Sequence, residues 1–112
     1  MASEQQCAQA FEDLADLIQG VDAGTRRKFA MDRTVSCRVP DVGQTWSGRV
    51  CEDGLLGVTI GDEVKAQVRL TIASEDLLSL VGGKIPLGVA FATGKLRIQA
   101  SPMDLLRLGS FL

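Results

Sequence analysis

The sequence predicts an α+β fold in which a five-stranded, mainly antiparallel sheet is covered on one face by helices. Three observations predict it. Apolar residues recur at intervals of three and four over residues 3–20, a period typical of an amphipathic helix. From residue 34 onward apolar and polar residues alternate, a period of two that is typical of half-buried strands. Short apolar helical segments then come before and between the later strands, which favours helices layered on a sheet.

Length and composition limit the class of protein. The chain has 112 residues, of which 46% are hydrophobic and 23% charged, and this predicts one folded domain over residues 1–112. The net charge of -2 argues against a nucleic-acid partner, because such proteins usually carry a basic face. We interpret the basic cluster at residues 26–28 as a solvated turn, with contact to lipid headgroups as the alternative.

Composition also bears on catalysis and location. The chain has no histidine, which removes the Ser-His, Cys-His and His-metal constellations. Cys7, Cys37 and Cys51 are widely spaced without a C-x-x-C, which indicates free thiols rather than a disulfide framework or a zinc site. We therefore expect no enzymatic activity, no metal and no cofactor. Neither a signal peptide nor a stretch of membrane-spanning length is present, so a cytoplasmic location is expected.

The first predicted element is a helix within residues 1–21. Ser3 and Gln6 have the spacing of a capping box, and Gly20 is a typical residue just past a helix end. The helix has one apolar stripe, which predicts one buried face: Cys7, Phe11, Leu14 and Ile18. Residues 22–32 mix turn and strand signals, and no element is assigned to them.

Four strands are predicted between residues 34 and 72. The first covers residues 34–39 and ends at Pro40, which cannot donate to a strand ladder. Residues 66–72 show the most regular alternation, with even-numbered residues apolar. Because short turns separate them, the four strands are expected to form an antiparallel meander with one solvated face.

The middle two of these strands are expected to form a hairpin. Asp53-Gly54 between two strand-like segments is the strongest short hairpin signal, because a tight primed turn needs positive φ. A second turn is expected at residues 61–63. Two sets of side chains are each expected to share a face: Trp46 with Val50, and Leu56 with Val58 and Ile60.

Two short helices and a last strand and helix follow. Ser74 is expected to cap the first short helix, which ends at residues 82–83, and Pro86 opens the second. A strand over residues 96–100 precedes the last helix, which Ser101 is expected to cap. That last helix is apolar on nearly every side, so it is expected either to complete the core or to cover an apolar pocket.

Three segments carry a family resemblance. Residues 71–78 read TIASEDLL, residues 83–86 read GKIP, and residues 90–98 read AFATGKLRI. Their order and spacing resemble the sterol carrier protein 2 domain, also called the nonspecific lipid-transfer domain. The likeness covers residues 33–112 well and the N-terminal helix by position only. Residues 99–101 depart from the family's frequent Lys-Gly-Asp, and the last three residues lack the basic middle residue of a peroxisomal address.

The resemblance implies a five-stranded sheet backed by helices, with an apolar tunnel beneath the C-terminal helix that holds sterols or fatty-acyl lipids. The predicted lipid-binding residues come from the apolar rows of the strands and from the covering helices: Val58, Ile60, Leu70, Leu77, Leu80, Phe91, Leu96, Ile98, Met103, Leu106 and Phe111. Trp46 is read as a core or rim anchor rather than a ligand platform. Lys84 and Lys95 are read as helix caps or solvated residues, with headgroup contact as the alternative.

Two functions from different classes are therefore carried forward. The favoured one is non-catalytic binding or carrying of apolar lipids, such as a sterol, a fatty acid or a fatty-acyl derivative. The alternative is an accessory or dimerisation domain whose apolar C-terminal helix packs on a partner protein or a second copy. The expected partner is an apolar lipid, with at most transient membrane contact.

Overall fold

The structure is a computed structural model that describes residues 2–20, 22, 24, 32–51, 53–61 and 66–109, without the side chains of residues 107–109. The basic cluster at residues 26–28 lies outside the described residues, as does most of the turn predicted at 61–63. The described residues form nine elements: α1 (Glu4–Gln19), β1 (Arg33–Val39), β2 (Gln44–Cys51), β3 (Gly54–Ile60), β4 (Val68–Ile72), α2 (Ser74–Val81), α3 (Leu87–Ala92), β5 (Leu96–Gln99) and α4 (Pro102–Gly109).

The five strands form one sheet in the order β3-β2-β1-β4-β5. Every neighbouring pair is antiparallel except β1 and β4, which run parallel with Val35 opposite Val68 and Cys37 opposite Leu70. The predicted α+β fold with a mainly antiparallel sheet is confirmed. The prediction of a four-stranded meander is wrong, because β4 joins the far side of β1 instead of lying beside β3. A period of two tells which side chains share a face, but it does not tell which strands are neighbours.

The hairpin of β2 and β3 is confirmed, with Cys51 opposite Gly54 at its closed end. The register then shifts between Ser47 and Arg49, opposite a stretch of β3 in which Gly57 has a φ of 63°. This irregularity changes which face of the sheet the side chains of β3 point toward. Leu56 lies opposite Arg49 and is exposed, so the expectation that it shares a face with Val58 and Ile60 is wrong.

The N-terminal helix α1 packs over this part of the sheet. Its start is as predicted: the Ser3 hydroxyl accepts from the Gln6 N–H, and the Gln6 side chain accepts from the Ser3 N–H. At its other end the Gln19 amide donates to the carbonyl of Asp53 in the hairpin turn. The ring of Phe11 lies 5.2 Å from that of Trp46, centroid to centroid, and both belong to the buried core.

The start of α2 differs from the prediction. Ser74 is the first helical residue and not the cap; the N-cap is Ala73, which has no side chain able to bond. A carboxylate from the loop after β1 takes that role, because Asp41 accepts from the Ser74 N–H at 2.9 Å and from its hydroxyl at 2.5 Å. The Ser74 hydroxyl in turn accepts from the Ala2 N–H at 3.0 Å. Asp41 thus stabilises the positive end of α2. Through its hydroxyl, Ser74 also connects α2 to the segment that precedes α1.

The C-terminal helix α4 packs through a polar side chain. Ser101 caps it as predicted, accepting from the Asp104 N–H at 3.2 Å. Asp104 is only 4% exposed, and both its carboxylate oxygens lie 3.2 Å from the Nε of Arg33. Met103 and Leu106, by contrast, are 71% and 73% exposed. The described part of the helix therefore turns apolar side chains toward solvent.

The Asp41 contacts predict a pH-dependent contribution to stability. Hydrogen bonds from the Ser74 hydroxyl and N–H hold the pKa of the Asp41 carboxyl below its ordinary value. A carboxyl whose pKa is lowered by folding stabilises the fold above its unfolded-state pKa, and this contribution is lost as pH falls through the lower native pKa. We expect Asp41→Asn to lower the melting temperature at pH 7, and the deficit to shrink as the pH falls below about 4.

Thermal unfolding followed by circular dichroism between pH 3 and pH 7 measures this difference. Asp16→Asn, which removes an exposed carboxylate from α1, is the matched control and should leave the melting temperature nearly unchanged at every pH. A deficit for Asp41→Asn that is the same at all pH values would show that the ionised carboxylate does not stabilise α2.

Candidate functional site

An apolar cavity of about 120 Å³ lies between α1 and the inner face of the sheet. The described residues that line it carry no charge and come from α1 and from β1 to β4: Phe11, Leu14, Ile18, Val35, Cys37, Trp46, Ser47, Gly48, Val50, Leu55, Val58 and Leu70. Such a cavity suits hydrocarbon, because a polar or charged group buried there would lose its contacts with water.

The cavity arises from the local structure of β2 and β3. Gly48 lies opposite Val35 on β1 and contributes no side chain to the inner face, so space is left above it. A Cβ at this position would approach the Leu56 carbonyl oxygen and a Val58 methyl to 3.1 Å, so glycine also permits the close approach of β3. The apolar stripe of α1 closes the space from above, since Phe11, Leu14 and Ile18 recur at helical spacing.

The structure separates the residues that the sequence predicted to line one site. Val58 and Leu70 line the cavity. Four others belong to the packed core or lie half-buried against it: Leu77, Leu96, Leu80 and Ile98. Four are exposed in the structure: Ile60, Phe91, Met103 and Leu106. Phe111 lies outside the described residues.

Most of the cavity lining was not among the predicted site residues. The missing contribution is that of α1, whose stripe the sequence revealed but which was assigned only a packing role. Trp46, expected as a core or rim anchor, is a buried core residue and also lines the cavity. The sequence did contain a signal for these lining residues, because the alternation of apolar and polar residues places Val35, Cys37 and Val50 on the core side of their strands. What the pattern could not supply was the position of α1 over β1, β2 and β3.

A larger depression lies outside the cavity, on the other side of α1. It is an open groove of about 810 Å³ between α1 and α2, and it is lined by polar side chains of α1, among them Gln9, Asp13 and Asp16, as well as by Leu78 and Val81. Because carboxylates and open water border the groove, the smaller apolar cavity is the better site for an apolar molecule.

The described residues contain no group of three or more His, Cys, Asp or Glu residues arranged to hold a metal ion. Among the helices that the structure describes, none combines the length and apolar character needed to cross a membrane. Lys84 and Lys95 are both exposed; Lys84 follows α2, and Lys95 borders a depression next to Arg97.

The fold and the cavity together define a class of protein: an α+β domain with a mixed sheet in the order β3-β2-β1-β4-β5 and an apolar cavity beneath its first helix. Residues 9–112 match the model of the SCP-2 sterol transfer family. The chain belongs to that family. The match reaches further toward the N-terminus than the segment on which the sequence resemblance rested.

Solved structures share the fold at low sequence identity. Palmitated sterol carrier protein 2-like 2 from Aedes aegypti has a TM-score of 0.68 at 19% identity, with 98% of this chain and 94% of that chain covered. Aedes aegypti sterol carrier protein 2 in complex with palmitate has a TM-score of 0.64 at 17% identity, with 95% and 93% covered. A sec-alkylsulfatase from Pseudomonas has a TM-score of 0.63 at 20% identity over 88% of this chain.

The sulfatase comparison concerns a small part of a larger protein, since the match covers only 14% of the sulfatase chain. Comparison with curated protein sequences finds no match. At these identities the solved structures show that the fold is shared.

The thiols allow a first test of the cavity's surroundings. Burial is the main cause that raises the pKa of the Cys37 thiol to about 12. Burial is also the main cause that raises the pKa of the Cys7 thiol. At pH 8 Cys37 is then about 1,000 times less ionised than a thiol of ordinary pKa, and alkylation requires the thiolate. We expect iodoacetamide to modify the half-buried Cys51 first and to leave Cys37 and Cys7 unmodified on the same timescale.

Peptide mass spectrometry of samples quenched at successive times gives the three rates. Protein unfolded in guanidinium chloride is the control, and there all three thiols should react at similar rates. Native Cys37 reacting as fast as Cys51 would contradict the enclosed position that the structure gives it.

Proposed function

We propose that this protein binds the hydrocarbon part of an apolar lipid in the cavity between α1 and the sheet, and that it carries the lipid without transforming it. The observation that carries the proposal is the charge-free lining of that cavity. Membership of the sterol transfer family supports it, as does the palmitate in two Aedes aegypti proteins of the same fold.

The size of the cavity bears on how a lipid enters. Its volume of about 120 Å³ is below the roughly 300–1,000 Å³ of typical ligand pockets. Each lipid methylene that is buried contributes about 0.8 kcal/mol to binding. Tight binding therefore requires that more of the lipid's hydrocarbon chain is enclosed than fits in the present cavity. We infer that binding displaces the side chains that α1 places over the cavity, Phe11, Leu14 and Ile18, because these are held by non-directional apolar contacts.

The cavity also orients the lipid. No lysine or arginine is among the described residues that line it, so a carboxylate or phosphate placed among them would lose its contacts with water. The hydrocarbon end therefore enters and the polar end stays at the surface. This orientation applies equally to a fatty acid, a fatty-acyl derivative and a sterol, so the proposal extends to apolar lipids as a class.

A carrier without catalysis agrees with the residues near the cavity. The chain has no histidine to serve as a general base, and the Cys37 thiol in the cavity wall is kept protonated by burial. Contact of the lipid with the remaining predicted residues, from Ile60 through Phe91 and Leu106 to Phe111, stays a prediction. These positions become relevant where a bound lipid extends beyond the cavity.

A cavity-filling substitution tests the proposal. Val35→Phe places a ring above Gly48, where β2 leaves space, and it removes room for about two methylenes. We expect it to weaken fatty-acid binding about tenfold, since two methylenes correspond to about 1.6 kcal/mol. Trp46 is the only tryptophan and the chain has no tyrosine, so energy transfer from Trp46 to a fluorescent polyene fatty acid measures binding at the cavity wall.

The matched control is Thr59→Phe, which adds the same side chain on β3 at an exposed residue that is not among those lining the cavity. It should bind the fatty acid as the wild type does. The melting temperature of Val35→Phe should be unchanged or higher, because an apolar ring fills unoccupied volume. A large loss of stability with unchanged binding would mean that the cavity is neither empty nor used.

The exposed side of α4 favours a second candidate function, that of a dimerisation or accessory domain. Met103, Leu105 and Leu106 are exposed apolar side chains on a single helix, while Asp104 faces inward. Apolar side chains grouped on a surface are typical of protein interfaces. In this candidate the helix packs against the same helix of a second copy.

Sedimentation velocity tests the second candidate directly. If the protein dimerises through α4, it should sediment as a dimer at micromolar concentration. The double variant Met103→Ser with Leu106→Ser should then be a monomer, and its melting temperature should be unchanged because both side chains are already exposed. The control pair, Leu87→Ser with Val89→Ser, removes two exposed apolar side chains from α3 and should leave the dimer intact. A wild-type protein that sediments as a monomer excludes a homodimer built on α4.

A further inference from the structure

The face of the sheet away from α1 carries arginines and hydroxyl groups. The register assigns to this face the residues that alternate with the core residues: Thr34, Ser36, Arg38, Thr45, Ser47, Arg49, Leu56, Thr59, Arg69, Thr71, Arg97 and Gln99. We call this set the outer face. Four of its members are arginines and none is acidic. All four arginines are exposed.

The strand pairing groups three of these arginines. Arg38 on β1 lies opposite Thr71 on β4, and Thr71 lies opposite Arg97 on β5. Arg69 is two residues before Thr71 on the same side of β4. Since neighbouring strands are about 4.8 Å apart, Arg38 and Arg97 leave the sheet about 10 Å from each other, with Arg69 on the strand between them. Three guanidinium groups thus project from one flat area.

The opposite side of the molecule has the opposite charge. The described helices α1 and α2 carry six carboxylates and no lysine or arginine: Glu4, Glu12, Asp13, Asp16, Glu75 and Asp76. Among the described residues, the acidic side chains of α1 and α2 and the arginines of the outer face thus lie on opposite sides of the sheet. Such a separation orients a protein in the field of a charged surface.

A carboxylate next to the outer face is already paired. Asp32 bonds Arg49 through both oxygens at 2.7 Å, and both side chains are more than half exposed. This pair offsets the charge of Arg49, so Arg49 adds little net charge to the outer face. Beyond the end of β4 the positive charge continues with Lys95, which borders a depression of about 240 Å³ together with Arg97 and Thr71; Asp41 also borders it, bonded to Ser74.

We propose that the outer face is a docking surface for an anionic phospholipid bilayer. Arg38 on β1 and Arg97 on β5 lie apart in one plane rather than converging on one point, which matches an extended plane of headgroups better than a single bound phosphate. Leu56 on β3 lies opposite Arg49 and is 41% exposed, so it adds an apolar side chain to the same face. This surface does not need the cavity, so it is independent of whether the cavity binds lipid.

Docking in this orientation places the sheet flat on the membrane, with the acidic helices away from the anionic headgroups. The strand β3 is then an edge next to the membrane, and its inner residues Leu55 and Val58 line the cavity. If the proposed function holds, a lipid leaving the bilayer reaches the cavity around this edge.

Vesicle co-sedimentation tests the docking surface. The wild type should bind vesicles of phosphatidylcholine with about 30 mol% phosphatidylserine, not vesicles of pure phosphatidylcholine, and binding should fall as salt rises from about 50 to 500 mM. Arg38→Gln with Arg97→Gln should weaken binding about 25-fold, about fivefold for each cation.

The control pair carries the same change in net charge on the helical layer: Leu17→Glu on α1 with Lys84→Gln after α2. Both positions are exposed, and this pair should bind the anionic vesicles nearly as the wild type does. If the control pair loses binding and the arginine pair retains it, the membrane contacts the helical layer and the proposal is wrong. Equal binding to neutral and anionic vesicles also overturns it.

Two further measurements keep the result independent of folding and of the proposed function. The arginine pair should keep the wild-type circular dichroism and the wild-type transfer from Trp46 to the fatty acid, which shows that its loss of vesicle binding is not unfolding or loss of the cavity. If the arginine pair does not fold, the salt dependence of the wild type and the behaviour of the control pair decide. Binding to a double-stranded DNA oligonucleotide at least as tight as to anionic vesicles, and lost in the arginine pair, would reassign the outer face to nucleic acid.

Discussion

The parallel pairing of β1 with β4 determines the position of almost every other element. It joins the hairpin-connected strands β1, β2 and β3 to the pair formed by β4 and β5, so β1 becomes the central strand of the sheet. Val39 and Cys37 are buried as a result, and Ile72 and Leu96 follow on the next two strands. The same pairing brings Arg38 opposite Thr71 on β4, which separates it from Arg97 on β5, on the other face. The composition of the core and that of the outer face therefore both follow from the register of β1 against β4.

Local features of the fold could be predicted from the sequence because their causes are local. The capping box at Ser3 and Gln6, the hairpin closed at Gly54 and the cap at Ser101 each depend on residues a few positions apart. The neighbour of β4 could not be predicted, since alternation is identical whether a strand lies beside β3 or beside β1. Asp41 as the cap of α2 was also out of reach, because the carboxylate comes from a loop 33 residues away in sequence.

The candidate site was predicted in part for the same reason. Val58 and Leu70 were assigned to the apolar face correctly, and both line the cavity. The residues expected from the later helices lie elsewhere because the position of a helix over a sheet depends on packing between distant segments. The stripe of α1 was visible in the sequence, but nothing local indicates which strands it covers. Gly48 was informative only once the structure placed it beneath α1.

The last helix shows how one polar contact can decide orientation against hydrophobicity. An ionised carboxylate is costly to bury unless it is paired, and Asp104 is buried against Arg33. Facing Asp104 inward places Met103 and Leu106 outward, since neighbours on a helix that lie one and two positions away point in different directions. The described part of α4 is thus attached to the sheet by its cap, its connection to β5 and an ion pair. Within residues 101–106, polar contacts thus attach α4 to the sheet, whereas α1 is attached by an apolar stripe that covers the cavity and the ring of Trp46.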